Sequence, residues 1–186
     1  GRLKISIKTR LGYYDPDEFY DLVDIFNAVP ISELIIHPRI RADFYKGVPR
    51  KEYFAYALQH CKCPLVYNGN VYTAQDYDEL VSQFDRSLDP VMLGRGLISD
   101  PSLADKLKGN TSETDFTKLK KLHDTVYHEY QKIMSPDINV LYKMRELWTY
   151  WQTLFGDNSR DIKKLLKAKK YAEYEAIVYG GLLTEH

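Results

Sequence analysis

In the stretch VMLGRGLISDP, residues 91–101, two glycines flank an arginine directly behind an apolar run. Glycine lets backbone approach a bound group closely, and a neighbouring arginine adds a charge-assisted bond to the same oxygens. Gly94, Arg95 and Gly96 therefore have the chemistry of a phosphate clamp. Three further polar groups stand behind apolar runs: Lys8, Thr9 and Arg10; His37 and Arg39; Asn68, Gly69 and Asn70. Each alone is ordinary, since Asn-Gly-Asn has the composition of a turn and a histidine at a strand end is commonly structural. A ligand site follows only if the fold brings all of them to one face.

The apolar runs that must position them begin at Leu3, Leu34, Leu65 and Val91, spaced by 31, 31 and 26 residues. That spacing suits a strand, a helix and two short loops, the repeating unit of a parallel sheet. Helix starts fall between the runs. Asp15, Pro16 and Glu18 have the order of an N-cap, a first-turn proline and a capping partner, Thr73 and Asp76 repeat the capping spacing, and Asp100 with Pro101 marks a third start. In parallel α/β folds ligands bind beyond the carboxyl ends of the strands, which is where all four polar groups would lie.

A phosphate held by two consecutive strand-end loops is what the loops after strands 7 and 8 of a (β/α)8 barrel provide. The four units would then be the last four of eight, the first four being absent, because a whole barrel takes about 250 residues. After the polar, turn-rich KGNTSETD, residues 108–115, no strand-like run recurs. Leu141, Met144, Trp148, Trp151 and Phe155 follow at helical steps, which predicts a packed core stripe on one helix face. The expected fold is thus α/β followed by all-α: the C-terminal half of a TIM barrel over 1–108 and a helical bundle over 109–186.

Lys plus Arg and Asp plus Glu both number 26 among 186 residues, so net charge does not select a partner. Locally, NSRDIKKLLKAKK from Asn158 sets Arg160, Lys163, Lys164, Lys167, Lys169 and Lys170 against the single acid Asp161, which fits a solvated face or a contact to RNA phosphates equally well. Cys61 and Cys63 are one residue apart, too close for an ordinary disulfide and without the second pair of a structural zinc site, so reduced thiols and no metal are expected. No apolar run reaches the roughly 20 residues that span a bilayer, and no signal-peptide pattern opens the chain. A soluble, cytoplasmic protein without membrane contact is expected.

Four ordered motifs, IKTRLG (7–12), IHPRIRADFYKG (36–47), VYNGNVYTAQD (66–76) and VMLGRGLISDP (91–101), make the sequence resemble the tRNA-dihydrouridine synthases. A weaker likeness continues through YKMRELWTYW and KKLLKAKKYAEYE. The resemblance implies an FMN-binding barrel followed by a helical tRNA-binding domain, and reduction of uridine to dihydrouridine in tRNA with NADPH or NADH as electron donor. It implies that Lys8 and His37 face the flavin, that Arg10 and Arg39 line the site, and that Asn68, Gly69, Asn70, Gly94, Arg95 and Gly96 hold the FMN phosphate. The family's catalytic cysteine has no counterpart here, because Cys61 and Cys63 sit before the third strand. The chain would then be an inactive fragment, prone to self-association through its open half-barrel. Two other readings stay open: another FMN- or phosphate-binding barrel enzyme, and a non-catalytic RNA-binding module.

Overall fold

The computed structural model describes residues 3–84, 88, 90–156 and 159–184, so Asn158, at the head of the basic run, lies outside the described residues. Packing divides the chain into two compact units, Gly1–Gly94 and Arg95–His186.

The first unit alternates β1 (Ser6–Arg10), α1 (Glu18–Asn27), β2 (Glu33–His37), α2 (Lys51–His60), β3 (Leu65–Asn68), α3 (Ala74–Phe84) and β4 (Val91–Met92). All pairings are parallel and the strand order is β1-β2-β3-β4. Consecutive order matters, because right-handed crossovers made always in the same direction put every helix on the same side of the sheet. A doubly wound sheet reverses direction and covers both sides; a (β/α)8 barrel never reverses. The architecture is therefore α/β with a four-stranded parallel sheet followed by helices, compatible with part of such a barrel.

The first strand departs from the sequence expectation. It begins at Ser6 rather than Leu3, and Lys8, Thr9 and Arg10, expected beyond its end, form its second half. The pairing with β2 runs from Ser6 opposite Glu33 to Arg10 opposite His37, so the strand follows its partner rather than its own apolar run. Leu3 and Ile5 are left 90% and 59% exposed.

The capping signals appear as reciprocal bonds, although α1 opens at Glu18 with Asp17 at the cap position, so the Asp15–Glu18 pair closes the turn that leads into the helix rather than its first turn. The Asp15 carboxylate accepts from the Asp17 N–H at 2.9 Å, and Glu18 reaches back to the Asp15 N–H at 2.8 Å. Those bonds and further ones from the Tyr14 and Tyr13 N–H groups hold the Glu18 carboxyl below its ordinary range. At α3 the Thr73 hydroxyl accepts from Asp76 N–H at 3.0 Å while the Asp76 carboxylate accepts from Thr73 N–H at 2.9 Å. The core beneath the helices is built from Phe19, Val23, Leu34, Ile36, Phe54, Ala57, Tyr67 and Leu80, all nearly inaccessible. Phe54 meets the Tyr67 ring edge-on at 5.1 Å.

The second unit comprises α4 (Arg95–Ser99), α5 (Leu103–Leu107), α6 (Phe116–Ile133), α7 (Asp137–Trp151), α8 (Ser159–Leu165) and α9 (Tyr171–Ile177). The break in packing at Gly94 precedes the compositional break at 108 because α4 and α5 are tied to later residues. The Trp151 indole donates to the Ile98 carbonyl at 2.9 Å, Thr114 donates to the Asp100 carboxylate at 3.2 Å, and the Asp115 N–H to the Ser102 hydroxyl at 2.9 Å. The expected stripe is core: Leu141, Met144, Trp148 and Trp151 are buried on α7, with Phe155 half-buried just beyond.

A buried polar chain runs through this core. The Trp148 indole donates to the Tyr174 hydroxyl at 2.8 Å, which lies 2.7 Å from His123 Nε2; His123 Nδ1 lies 2.8 Å from the Asp124 carboxylate. Indole is only a donor and carboxylate only an acceptor, so every group is satisfied when Tyr174 donates to Nε2 and the neutral imidazole carries its proton on Nδ1. Burial lowers the affinity of His123 for a second proton, outweighing the attraction of Asp124. For Asp124, burial acts upward but bonds from His123, Lys120 and Tyr179 prevail and hold the carboxyl low. The sign of the pH dependence follows. Above the ordinary histidine value of 6.5 both folded and unfolded His123 are neutral; below it the unfolded chain takes up a proton that the folded unit resists. Stability should fall with pH below that value, by up to about 1.4 kcal/mol per unit. Melting temperatures from pH 8 to 5.5 test this. The slope should flatten in His123→Gln, and an equal slope in that variant would remove His123 as the cause.

Candidate functional site

The carboxyl ends of the strands in the first unit bring Lys8, Arg10, His37, Arg39 and the Asn68–Asn70 loop to one end of the sheet, with Gly94 two residues past β4. Arg10 stands in register with His37, and Asn68 with Met92. The loops after β1 and β2 are laced by backbone bonds: Leu11 N–H to Arg39 O at 3.0 Å, Arg41 N–H to Gly12 O at 2.9 Å and Ala42 N–H to Tyr13 O at 3.2 Å. Arg10 adds a bond from Nη1 to the Ile40 carbonyl at 2.9 Å and lies 5.6 Å over the Tyr45 ring. Tyr45 also lies 6.4 Å from the His37 ring.

Arg39 is fully buried beneath these loops. Its Nε donates to the Lys46 carbonyl at 3.2 Å, its Nη2 to the Gly47 carbonyl, and its Nη1 to Asn70 Oδ1 at 3.3 Å. The same Nη1 lies 3.0 Å from His37 Nε2. Guanidinium has no acceptor, so His37 must receive this bond on Nε2 and carry its proton on Nδ1. Arg39 thus fixes the β2–α2 loop, the orientation of Asn70 and the tautomer of His37 from below.

Asn68 donates its amide to the Met92 carbonyl at 2.8 Å, which joins β3 to the end of β4. Gly69 is required by the protein itself, since a Cβ there would fall onto the Tyr67 ring. Burial pushes that Tyr67 phenol up to about 12, against the opposing charge of Arg39. Gly94 is the contrary case, with nothing within 4 Å of the position a Cβ would take. Arg95 and Gly96 open α4 in the second unit.

The charge at the strand ends is cationic. Lys8 is exposed, yet the protein around its stem, and then the charge of Arg10, lower its ordinary value. Asp43, in the loop after β2, is engaged by both Nη atoms of Arg50, and that contact holds its carboxyl low. Cys61 and Cys63 precede β3 at its amino end as free, half-buried thiols. Burial, with the neighbouring Cys63, pushes the Cys61 thiol up to about 11.

In the second unit, Arg160, Lys163 and Lys164 lie on α8, Lys167 in the turn beyond it, and Lys169 and Lys170 directly before α9. The basic run is therefore a helix followed by a turn. Its cations are exposed while Ile162, Leu165 and Ala168 are buried, and Lys164 pairs with Asp161 at 3.0 Å. A separate cavity of about 650 Å³ on α6 includes Lys120, Lys121, Asp124 and His128 in its lining, residues that carried no motif in the sequence. No helix among the described residues is long and apolar enough to cross a membrane.

The family model described as "Dihydrouridine synthase (Dus)" matches residues 2–176. The tRNA-dihydrouridine(16) synthase of Vibrio cholerae is 31% identical over 109 residues, covering 58% of this chain and 33% of that protein. A probable tRNA-dihydrouridine synthase of Staphylococcus epidermidis is 31% identical over 137 residues, covering 71% of this chain and 41% of that protein. The probable tRNA-dihydrouridine synthase 2 of Bacillus subtilis is 31% identical over 137 residues, with 71% and 42% covered. The matched stretches cover between 33% and 42% of the length of these relatives. With the family match running from the first strand through α8 and onto α9, the chain belongs to the dihydrouridine synthase family.

Proposed function

We propose that this chain takes part in the FMN-dependent reduction of uridine to dihydrouridine in tRNA, with NADPH or NADH as electron donor. Residues 1–108 provide the C-terminal half of the flavin barrel and 109–186 the part that holds tRNA. The observation that carries the reading is the gathering of Lys8, Arg10, His37 and the Asn68–Asn70 loop at the carboxyl ends of consecutive parallel strands. The donor set fits an anionic, planar ligand, being rich in cations and amides, with Asp43 neutralised by Arg50 and open space at Gly94.

Bound FMN would supply the hydride that reduces the uracil ring. Lys8 sets an ammonium where negative charge would collect, and exclusion of water strengthens its effect. His37, its Nε2 engaged by Arg39, presents Nδ1–H as a donor of fixed direction. Asn70, Gly94, Arg95 and Gly96 are the candidates to hold the phosphate; Asn68 and Gly69 shape that loop through Met92 and Tyr67. The family's cysteine would act as the acid that protonates the uracil ring as hydride arrives, and neither Cys61 nor Cys63, both before β3 at its amino end, stands at this end of the strands. The purified 186-residue chain, given FMN, reductant and unmodified tRNA, should therefore form no dihydrouridine. Product from this chain alone would show the acid to be among these residues. The outer edges of β1 and β4 would favour self-association or pairing with another half-barrel.

Gly94→Val separates the phosphate reading from protein packing, because the added carbons meet no protein atom near Cβ. Flavin affinity of the enzyme containing these residues should fall in Gly94→Val and in Arg95→Ala, the latter by about 1.5–3 kcal/mol for a charge-assisted bond. Exchanging Lys163, Lys164, Lys167, Lys169 and Lys170 for glutamine should weaken tRNA binding and flatten its salt dependence by roughly one unit per lost phosphate contact, with flavin affinity unchanged. Unchanged flavin affinity in both Gly94→Val and Arg95→Ala, or an unchanged salt slope, would remove the corresponding half of the assignment.

A further inference from the structure

The laced loops after β1 and β2 carry exposed aromatics beyond what folding needs. Tyr13 is 44% exposed, Tyr14 76%, Phe44 63% and Tyr45 61%. Tyr13 and Tyr14 meet edge-on at 4.3 Å, and the Arg41 guanidinium lies 4.7 Å over the Tyr13 ring while Nη1 donates to the Tyr13 hydroxyl at 2.7 Å. Phe44 sits at φ +51° and ψ −104°, outside the regions a bulky side chain ordinarily occupies. Water-exposed phenylalanine on strained backbone is doubly unfavourable, and the surroundings enforce it: Phe44 N–H is bonded to Arg41 O, Lys46 N–H to Asp43 O, and Asp43 is clamped by Arg50.

From these observations we propose that Tyr13, Tyr14, Arg41 and Phe44 form a stacking platform for unpaired RNA bases flanking the target uridine. This rests on the reading of the strand ends as the uridine site. Aromatic faces and a guanidinium plane are the groups that hold splayed-out bases, and every base offers a π-face whatever its identity. Arg10, Arg41 and Lys46 stand in the same loops as cations for a phosphodiester strand, while of the nearby acids Asp43 is engaged by Arg50, Glu18 by the Tyr13, Tyr14 and Asp15 N–H groups, Asp15 by the Asp17 N–H and Asp17 by the Tyr53 hydroxyl. Exposed backbone carbonyls or a groove for paired strands are not needed; the platform selects single-stranded RNA by its bases.

The test compares two fluorescently labelled strands of equal length and charge, an oligouridine and its abasic counterpart, binding to the 186-residue chain. Wild type should prefer the base-bearing strand, and Tyr14→Ala and Phe44→Ala should each lower that preference about tenfold, the scale of one base–aromatic stack. Tyr14→Trp should keep it. Affinity for the abasic strand should not change, and because both side chains are exposed, neither should the melting temperature. Equal wild-type affinity for the two strands, or a preference that survives in the double alanine variant, would overturn the platform. Failure of the broader reading looks different: the enzyme containing these residues would bind neither flavin nor tRNA. Normal flavin and tRNA binding with unaltered base preference in the variants would sink the platform alone.

Discussion

Arg39→Met should unfold the carboxyl-terminal side of the sheet. The substitution keeps the length of the stem but leaves the Lys46 and Gly47 carbonyls, Asn70 Oδ1 and His37 Nε2 without the donor they share. Of these acceptors only His37 belongs to a buried residue, while Lys46, Gly47 and Asn70 stand at exposed positions that water can reach, so the loss should be about 1–3 kcal/mol. Against the 5–15 kcal/mol by which domains are commonly stable, that is enough to open this end of the sheet locally. The measurement is amide exchange along 34–47 and 66–71, where protection should collapse, while Arg39→Lys should show an intermediate loss. Retained protection in Arg39→Met would mean that the loop is held by its backbone lacing to residues 11–13 alone.

Tyr174→Phe should be the most damaging removal of a single atom in the helical unit. The hydroxyl receives the Trp148 indole N–H and bonds His123 Nε2, so its loss leaves two buried groups without partners, at a cost of about 2–4 kcal/mol. Both tryptophans of the chain lie in this unit, so indole fluorescence during urea unfolding reads the effect directly. Adding Trp148→Phe to Tyr174→Phe should return part of the loss, because the stranded donor is then removed along with its acceptor. If Tyr174→Phe unfolds at the wild-type midpoint, the chain of bonds contributes nothing net.

The parallel sheet was legible in the sequence because strands covered by helices read as apolar runs, and runs at steps of 31, 31 and 26 residues leave room for little besides one helix each. The start of β1 was not, since Leu3 and Ile5 look like strand, yet the Ile5 carbonyl already accepts from both the N–H and the hydroxyl of Ser32 just before β2, and the paired register begins only at Ser6. The strand-end cluster was legible by type and position. The division of labour within it was hidden, because Arg10 and Arg39 look alike in sequence, and only the fold makes one half-buried against Tyr45 and the other wholly interior. Likewise Gly69 and Gly94 read as equivalent glycines, yet one makes room for the Tyr67 ring and the other faces open space. The exposed aromatics carried a signal in the adjacent Tyr13 and Tyr14 of a polar loop, although nothing local foretells the backbone of Phe44.

The polar chain from Trp148 to Asp124 has a direction, and direction brings dynamical order. Reversing the imidazole tautomer would turn a lone pair toward the Asp124 carboxylate and set two protons against each other at Tyr174, so a single arrangement of hydrogens is occupied. Three helices, α6, α7 and α9, are thereby pinned through rings that cannot flip independently. In nitrogen-15 spectra His123 should show one pyrrole-type and one pyridine-type nitrogen without tautomeric averaging. The Trp148 indole proton should exchange with deuterated solvent only as fast as the whole helical unit opens, which makes that one resonance a clock for its global unfolding.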